Sequence, residues 1–153
     1  LNHILRCRAC NSIMFHTYTA KGRHRYRYYV CMNAQKQGYK NCPTRSVNAQ
    51  QIENAVVLSL VKIANDSELR KEALRDVNIG RKFITDHELE QALIVNSPIW
   101  ETLFPQQKHR SLKPMLKEVE YSATDGKISL TLNHNGIKFL YLLLHPALQK
   151  KLR

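Results

Sequence analysis

The run Cys7-Arg8-Ala9-Cys10, followed by Tyr29-Val30-Cys31 and then Asn41-Cys42-Pro43, decides how this chain is read. A two-residue gap between cysteines lets the main chain wrap a metal ion, and Cys31 and Cys42 supply a second pair of thiols. Four thiolates complete a tetrahedron. Sulfur ligation in that geometry suits zinc, with iron as the other option, and a closed shell with no open position makes the ion structural and not catalytic. The ten residues between Cys31 and Cys42 exceed the gap of a tight knuckle, so spacing by itself is incomplete evidence. Two disulfides are the alternative use of these thiols, but no secretory signal accompanies them. A thioredoxin-like redox pair would need a βαβ pattern around Cys7 and Cys10, and the sequence has none there. Size also favours a metal. A piece of about 45 residues is close to the limit below which chains need metals or disulfides to fold. Zinc contributes roughly 10 to 16 kcal/mol of apparent binding energy in zinc-finger peptides.

Between Cys10 and Cys31, residues 13–19 and 24–30 are rich in aromatic and β-branched side chains. Ala20-Lys21-Gly22-Arg23 separates them, which predicts a hairpin turning at Gly22. A period of two puts Arg23, Arg25, Arg27 and Tyr29 on one face of the second strand, and His24, Tyr26, Tyr28 and Val30 on the other. A ribbon this small packs one face only. The expectation is that Tyr26 and Tyr28 belong to the core while the arginine face stays in water, with Tyr29 beside its arginines. His3, His16 and His24 lie near the cysteines; with four thiols present they read as surface, packing or phosphate-contacting residues and not as ligands.

Charge is distributed unevenly. Nine Lys and Arg precede residue 46 and no Asp or Glu occurs before Glu53, while the remainder holds fifteen basic against twelve acidic residues, for a net charge of +12. Such a field attracts polyanions, and nucleic acid fits better than an acidic membrane because no amphipathic anchor or lipidation motif accompanies it. A merely solvated basic face is the plain alternative. No apolar run approaches the roughly 20 residues needed to span a bilayer, which predicts a soluble protein without a membrane partner. No signal peptide is recognisable, and the start at Leu1 without Met reads as a fragment of something longer. The candidate contacts are Lys21, Arg23, Arg25 and Arg27 on the hairpin together with Tyr29. Arg6, Arg8, Lys36, Lys40 and Arg45 are supporting charges.

Downstream the pattern turns helical. Asn48 and Gln51 are placed to cap a helix whose stripe is Ile52, Val56, Leu60 and Ile63, ending near Asn65. Thr85 and Glu88 have capping-box spacing ahead of Leu89 and Leu93. Residues 67–84 are ambiguous. Ser97-Pro98 predicts another helix start before Trp100, Leu103 and Phe104, which read as core. Pro105 opens a further run through Leu112, Leu116 and Val119, interrupted at Pro114. Residues 119–122 and 127–133 flank Asp125-Gly126, a hairpin signal that Asn135-Gly136 repeats. Residues 137–144 fit strand or helix, and Lys150-Lys151-Leu152-Arg153 reads as a frayed basic end. The expected class is α+β, with a zinc β-ribbon over residues 1–47 and a mainly helical segment with a C-terminal β-hairpin over 48–153.

Arg6-Cys7-Arg8-Ala9-Cys10, Tyr26-Arg27-Tyr28-Tyr29-Val30-Cys31 and Asn41-Cys42-Pro43-Thr44-Arg45-Ser46-Val47 together resemble the zinc β-ribbon of the large serine site-specific recombinases. Ile99-Trp100-Glu101-Thr102-Leu103-Phe104-Pro105, a helix and the hairpin of residues 119–132 resemble the segment that follows the ribbon in one group of these enzymes. The resemblance implies DNA strand exchange by a larger protein whose N-terminal domain carries the serine nucleophile. It also implies double-stranded DNA and other recombinase subunits as partners, and the cytoplasm of a bacterial or phage-infected cell as the location. Many members insert a long coiled coil after the fourth cysteine. Residues 64–97 are too short and irregular for that arm. No catalytic residue and no small-molecule site is expected in this chain, because no Ser, Cys or Lys sits in a nucleophile motif. An RNA-binding zinc ribbon and a zinc-stabilised protein-interaction module are the competing readings.

Overall fold

The computed structural model describes residues 1–78, 83–94 and 105–144. The expected helix start at Ser97-Pro98, the core residues Trp100, Leu103 and Phe104, and the basic end at Lys150 to Arg153 lie outside the described residues. In chain order the elements are β1 (Leu5–Cys7), β2 (Met14–Lys21), β3 (His24–Cys31), α1 (Met32–Gln37), β4 (Ser46–Asn48) and α2 (Ala49–Asn65). They continue with α3 (Ser67–Val77), α4 (Asp86–Ile94), α5 (Pro105–Met115), β5 (Leu116–Tyr121), β6 (Ile128–Leu132) and α6 (His134–Leu144). The class is α+β, as expected, with the predicted hairpin at β5 and β6. By internal contacts the chain forms two units. One is Leu1–Val56 with Glu118–Leu130; the other holds the described residues between Val57 and Lys117 and from Thr131 on.

The first unit contains two small sheets, ordered β2-β3-β4 and β1-β5-β6. The hairpin forms where the alternation predicted it, with β2 and β3 antiparallel from Met14 opposite Cys31 to Lys21 opposite His24. Gly22 turns it at φ 61°, a left-handed conformation that costs glycine nothing sterically. β4 adds antiparallel to β3, setting Val47 opposite Tyr29. β1 takes a partner far along the sequence, because Leu5, Arg6 and Cys7 run parallel to Val119, Glu120 and Tyr121. The helix α2 starts as read: the Asn48 side chain accepts from the Gln51 main-chain N–H at 3.2 Å. Its stripe is buried at Ile52, Val56 and Leu60 and half-buried at Ile63.

The hairpin faces are inverted relative to the sequence expectation. Cross-strand partners point to the same side, so Met14, His16, Tyr18, Arg27, Tyr29 and Cys31 share one face, and Phe15, Thr17, Tyr28 and Val30 share the other. At the base of the hairpin the first of these is the core face, with Met14, Tyr29 and Cys31 buried, while His16 and Tyr18 further out are exposed. Tyr29 is 2% exposed and Tyr26 is 44% exposed. Alternation separates two faces but carries no sign. The sign is set here by the first turns of α2, where Ile52, Glu53 and Val56 are buried in the same unit.

In the second unit the ambiguous stretch after Asn65 is helical because Asp66 caps it, accepting from the N–H groups of Glu68 and Leu69 at 2.9 and 3.2 Å. α4 opens with the expected capping box, in which Thr85 N–H donates to Glu88 at 2.9 Å and Glu88 N–H donates to the Thr85 hydroxyl at 3.3 Å. The Asn78 side chain bridges to Ile84, bonding its main-chain oxygen at 2.9 Å and its N–H at 2.7 Å. α5 stops one residue after Pro114, which removes a ladder bond, so Leu116 and Val119 fall on a strand and not on a helical stripe. Asn135-Gly136 is not a second hairpin turn. Asn133 starts α6 instead, its side chain accepting from Gly136 N–H at 3.4 Å and its carbonyl from Ile137 N–H at 3.0 Å.

Candidate metal centre and nucleic-acid interface

Each cysteine is delivered by a different local device. Cys7 ends β1, and a tight turn follows in which Asn11, at φ 55°, donates to the Cys7 carbonyl at 2.7 Å while Cys7 N–H donates to Ser12 O at 2.9 Å. That turn brings Cys10 back beside Cys7. Cys31 ends β3 and precedes α1, and Met32 N–H ties this point to Ile13 O at 3.1 Å. Gly38, at φ 87°, closes α1 by donating to Ala34 O at 3.1 Å, and the chain then returns to Cys42. The long gap between Cys31 and Cys42 is therefore filled by one short helix and its glycine stop.

All four Sγ atoms lie within 4.8 Å of one another. Cys7 to Cys42 is 3.5 Å, Cys10 to Cys31 is 3.4 Å, and Cys31 to Cys42 is 3.8 Å. A zinc tetrahedron with bonds of about 2.3 Å has sulfur–sulfur edges of about 3.8 Å, so these separations fit a single ion. Among the described residues no histidine joins the cluster. Main-chain N–H groups reach the sulfurs from Ser12 to Cys10, from Ala34 to Cys31 and from Thr44 to Cys42. Such outer bonds orient thiolates for a metal. Burial pushes the Cys31 thiol up to about 12 and raises that of Cys42. Burial would also raise Cys10, but hydrogen bonds from the Ser12 side chain and backbone outweigh it and hold that thiol near about 6. A divalent cation supplies the charge that lets all four ionise together.

The basic side chains divide into two groups. Arg8, Lys21, Arg23, Arg25, Lys36, Lys40 and Arg45 are exposed. Arg25 lies over the Tyr18 ring at 5.2 Å and Arg45 over the Tyr39 ring at 5.0 Å, so two arginines make cation–π contacts with exposed aromatics. Arg6 is half-buried and paired, with its Nε 2.7 Å from Glu118 and Nη1 donating to Asn11 O at 2.9 Å. Arg27 is also half-buried and donates from both terminal nitrogens to Glu53 at 3.3 and 3.0 Å.

Tyr29 is no outward contact. Its hydroxyl donates to Glu53 at 2.9 Å and accepts from the Leu1 nitrogen at 2.7 Å, and its ring meets His16 edge-on with centroids 5.8 Å apart. Burial and the neighbouring Glu53 carboxylate raise its pKa, so the hydroxyl keeps its proton and stays a donor. Burial lowers the pKa of His16, with the Arg27 charge adding to the effect. Sequence reasoning missed Glu53 as a site residue. The available signal was that no other acidic residue occurs before Asp66. It also missed Tyr18 and Tyr39, which only the folded arrangement sets under arginines.

The buried thiol cluster is the metal centre of this unit, and among the described residues no helix is long and apolar enough to cross a membrane. No curated protein matches the chain. Among solved structures, one described as "Sequence Requirements of the Listeria innocua prophage attP site" is 14% identical at a TM-score of 0.47, covering 87% of this chain and 42% of that one. Another, described as "Crystal Structure of a LSR-DNA Complex", is 16% identical at a TM-score of 0.49, covering 88% of this chain and 56% of that one. The chain thus spans about half the length of each. Residues 1–60 match the family described as the recombinase zinc beta ribbon domain, and it is this N-terminal part, with its four gathered thiols, that is similar to that family.

Proposed function

We propose that this chain is a DNA-binding segment from the C-terminal part of a serine site-specific recombinase, in which a structural zinc ribbon docks on the attachment-site duplex. The observation that carries the reading is a thiol cluster fit for one zinc ion at the base of a hairpin whose tip, Lys21 to Arg25, is exposed and free of acidic residues, within the stretch that matches the recombinase ribbon family. Zinc would be held by Cys7, Cys10, Cys31 and Cys42 and would supply rigidity, not reactivity. The contacts are Lys21, Arg23 and Arg25 from the hairpin, with Arg8, Lys36, Lys40 and Arg45 extending the basic surface toward Cys42. The exposed arginines displace condensed counterions from phosphates, and any that reaches a guanine edge reads it bidentately.

Strand exchange belongs, on this reading, to a serine domain elsewhere in the protein, and other recombinase subunits and a cytoplasmic setting follow from that assignment. The test is a competition titration at fixed salt between duplex DNA and single-stranded RNA. Preference for the duplex supports the proposal. Preference for RNA would favour an RNA-binding ribbon, and no nucleic-acid binding would leave a protein-interaction module.

A further inference from the structure

Glu53 is the only acidic residue before Asp66 in a stretch dense with cations, and it is inside the fold, with its side chain 7% exposed. Both its oxygens are taken by Arg27, at 3.3 and 3.0 Å, and one also accepts from Tyr29 at 2.9 Å. We propose that Glu53 is a positioning residue that withholds Arg27 from bound polyanion and uses it to fix β3 against the start of α2, leaving Lys21, Arg23 and Arg25 as the hairpin's contacts.

The proposal rests on the duplex-binding reading above and adds a division of labour within one strand. Arg23, Arg25 and Arg27 alternate along β3 and look equivalent in sequence, yet the first two are exposed while Arg27 is 28% exposed and spans a two-point carboxylate bond. For Arg27 to move to a phosphate, the buried Glu53 side chain would lose both of its guanidinium bonds while keeping that of the Tyr29 hydroxyl. An uncompensated buried charge of that kind is strongly disfavoured. Arg27 also carries its counter-charge already, so no condensed cation is released from DNA on its account. Glu53 further sets which way the strand faces: its bonds to Arg27 and Tyr29 turn that side inward, so the hairpin tip projects from a braced base.

The experiment is the salt dependence of binding to a mixed-sequence DNA duplex by the zinc-loaded chain, comparing wild type with Arg25→Gln, Arg27→Gln and Glu53→Gln. Each phosphate neutralised contributes about 0.9 to the slope of log K against log salt. The expected results are a loss of about 0.9 for Arg25→Gln, no change of slope for Arg27→Gln whatever happens to affinity, and a gain of about 0.9 for Glu53→Gln as Arg27 is released. A merely structural role would move affinity and not produce this pattern of slopes. Should Arg27→Gln fail to fold, the double variant Arg27→Met with Glu53→Leu removes both charges together and should keep the wild-type slope. Equal slope losses for Arg25→Gln and Arg27→Gln would overturn the inference while leaving the duplex-binding reading intact. Absence of any salt-dependent duplex binding by the wild type would overturn both.

Discussion

Leu5 and Val119 are partners in parallel register, and neither side chain has any exposed surface. The strand that ends at Cys7 is therefore held by residues near the far end of the chain, and Arg8 N–H extends the same ladder to Tyr121 O at 2.9 Å. Leu5→Ala should destabilise the metal-loaded chain by about 2 to 5 kcal/mol in chemical denaturation, the usual cost of emptying a buried leucine site. A fragment of residues 1–60, although it contains all four cysteines, should hold zinc more weakly than the whole chain in a chelator competition. Equal zinc affinity would show that the β1–β5 pairing does not support the centre.

Removing the metal should separate the two units thermodynamically. Chelation takes away the binding energy that holds the thiol cluster together, while the Thr85–Glu88 capping box, the Asp66 cap and the buried leucines of the helical unit are untouched. Circular dichroism should lose its strand contribution and keep most of its helical signal, and duplex binding should vanish and return on adding zinc. A spectrum indifferent to chelator would contradict this.

Gly136 gives a prediction in which helix propensity and packing disagree. A Cβ built there would sit 1.6 Å from the Pro114 carbonyl oxygen, inside the space where α6 passes the end of α5. Propensity alone makes Gly→Ala in a helix stabilising by about 1 kcal/mol. The contact is with backbone, which cannot rotate away, so Gly136→Ala should instead destabilise by about 1 to 3 kcal/mol or more, as overpacking does. A raised melting temperature would show that α5 and α6 lie further apart.

Glu88 links acidity to the helical unit. Burial would raise its pKa, but the hydrogen bonds from Lys138 and from Thr85 outweigh that and hold the carboxyl below its ordinary value of 4.5. A depressed folded-state value means that the stabilisation is fully present above the ordinary value and is lost as pH falls through the lower folded one. Glu88→Gln, which keeps the capping bond, should therefore cost about 1 kcal/mol or less at neutral pH. That difference from wild type should shrink to nothing in acid below the glutamate range. Thermal melts of the helical signal against pH measure it, and a difference that persists in acid would mean that charge is not the cause.

What could be read in the sequence was local. Cys7 to Cys10 spacing, Asn48 with Gln51 and Thr85 with Glu88 act within a few residues and do in the structure what their chemistry requires, and of the Asp125-Gly126 pair Gly126 takes the left-handed φ, 67°, in the connection between β5 and β6. Nonlocal relations were not legible. The parallel pairing of β1 with β5 leaves no signal in either strand. The inward side of β3 depends on Glu53, a residue of another element, so Tyr29 and Arg27 read as an outer face although they are tied inside. Asn135-Gly136 has the chemistry of a hairpin turn and also that of a helix start, and the choice fell to the cap at Asn133 and to the space beside Pro114. Asp66 illustrates the reverse, a strong cap that decided α3 in a stretch whose apolar pattern was weak.

The central claim is that Cys7, Cys10, Cys31 and Cys42 share one zinc ion. Zinc-edge X-ray absorption on the purified chain, with metal content measured on the same sample, tests it most directly. The account predicts one zinc per chain with four sulfur neighbours at about 2.3 Å, and loss of the bound metal in Cys42→Ser. A chain purified without metal, or a zinc shell containing nitrogen or oxygen in place of sulfur, would contradict it.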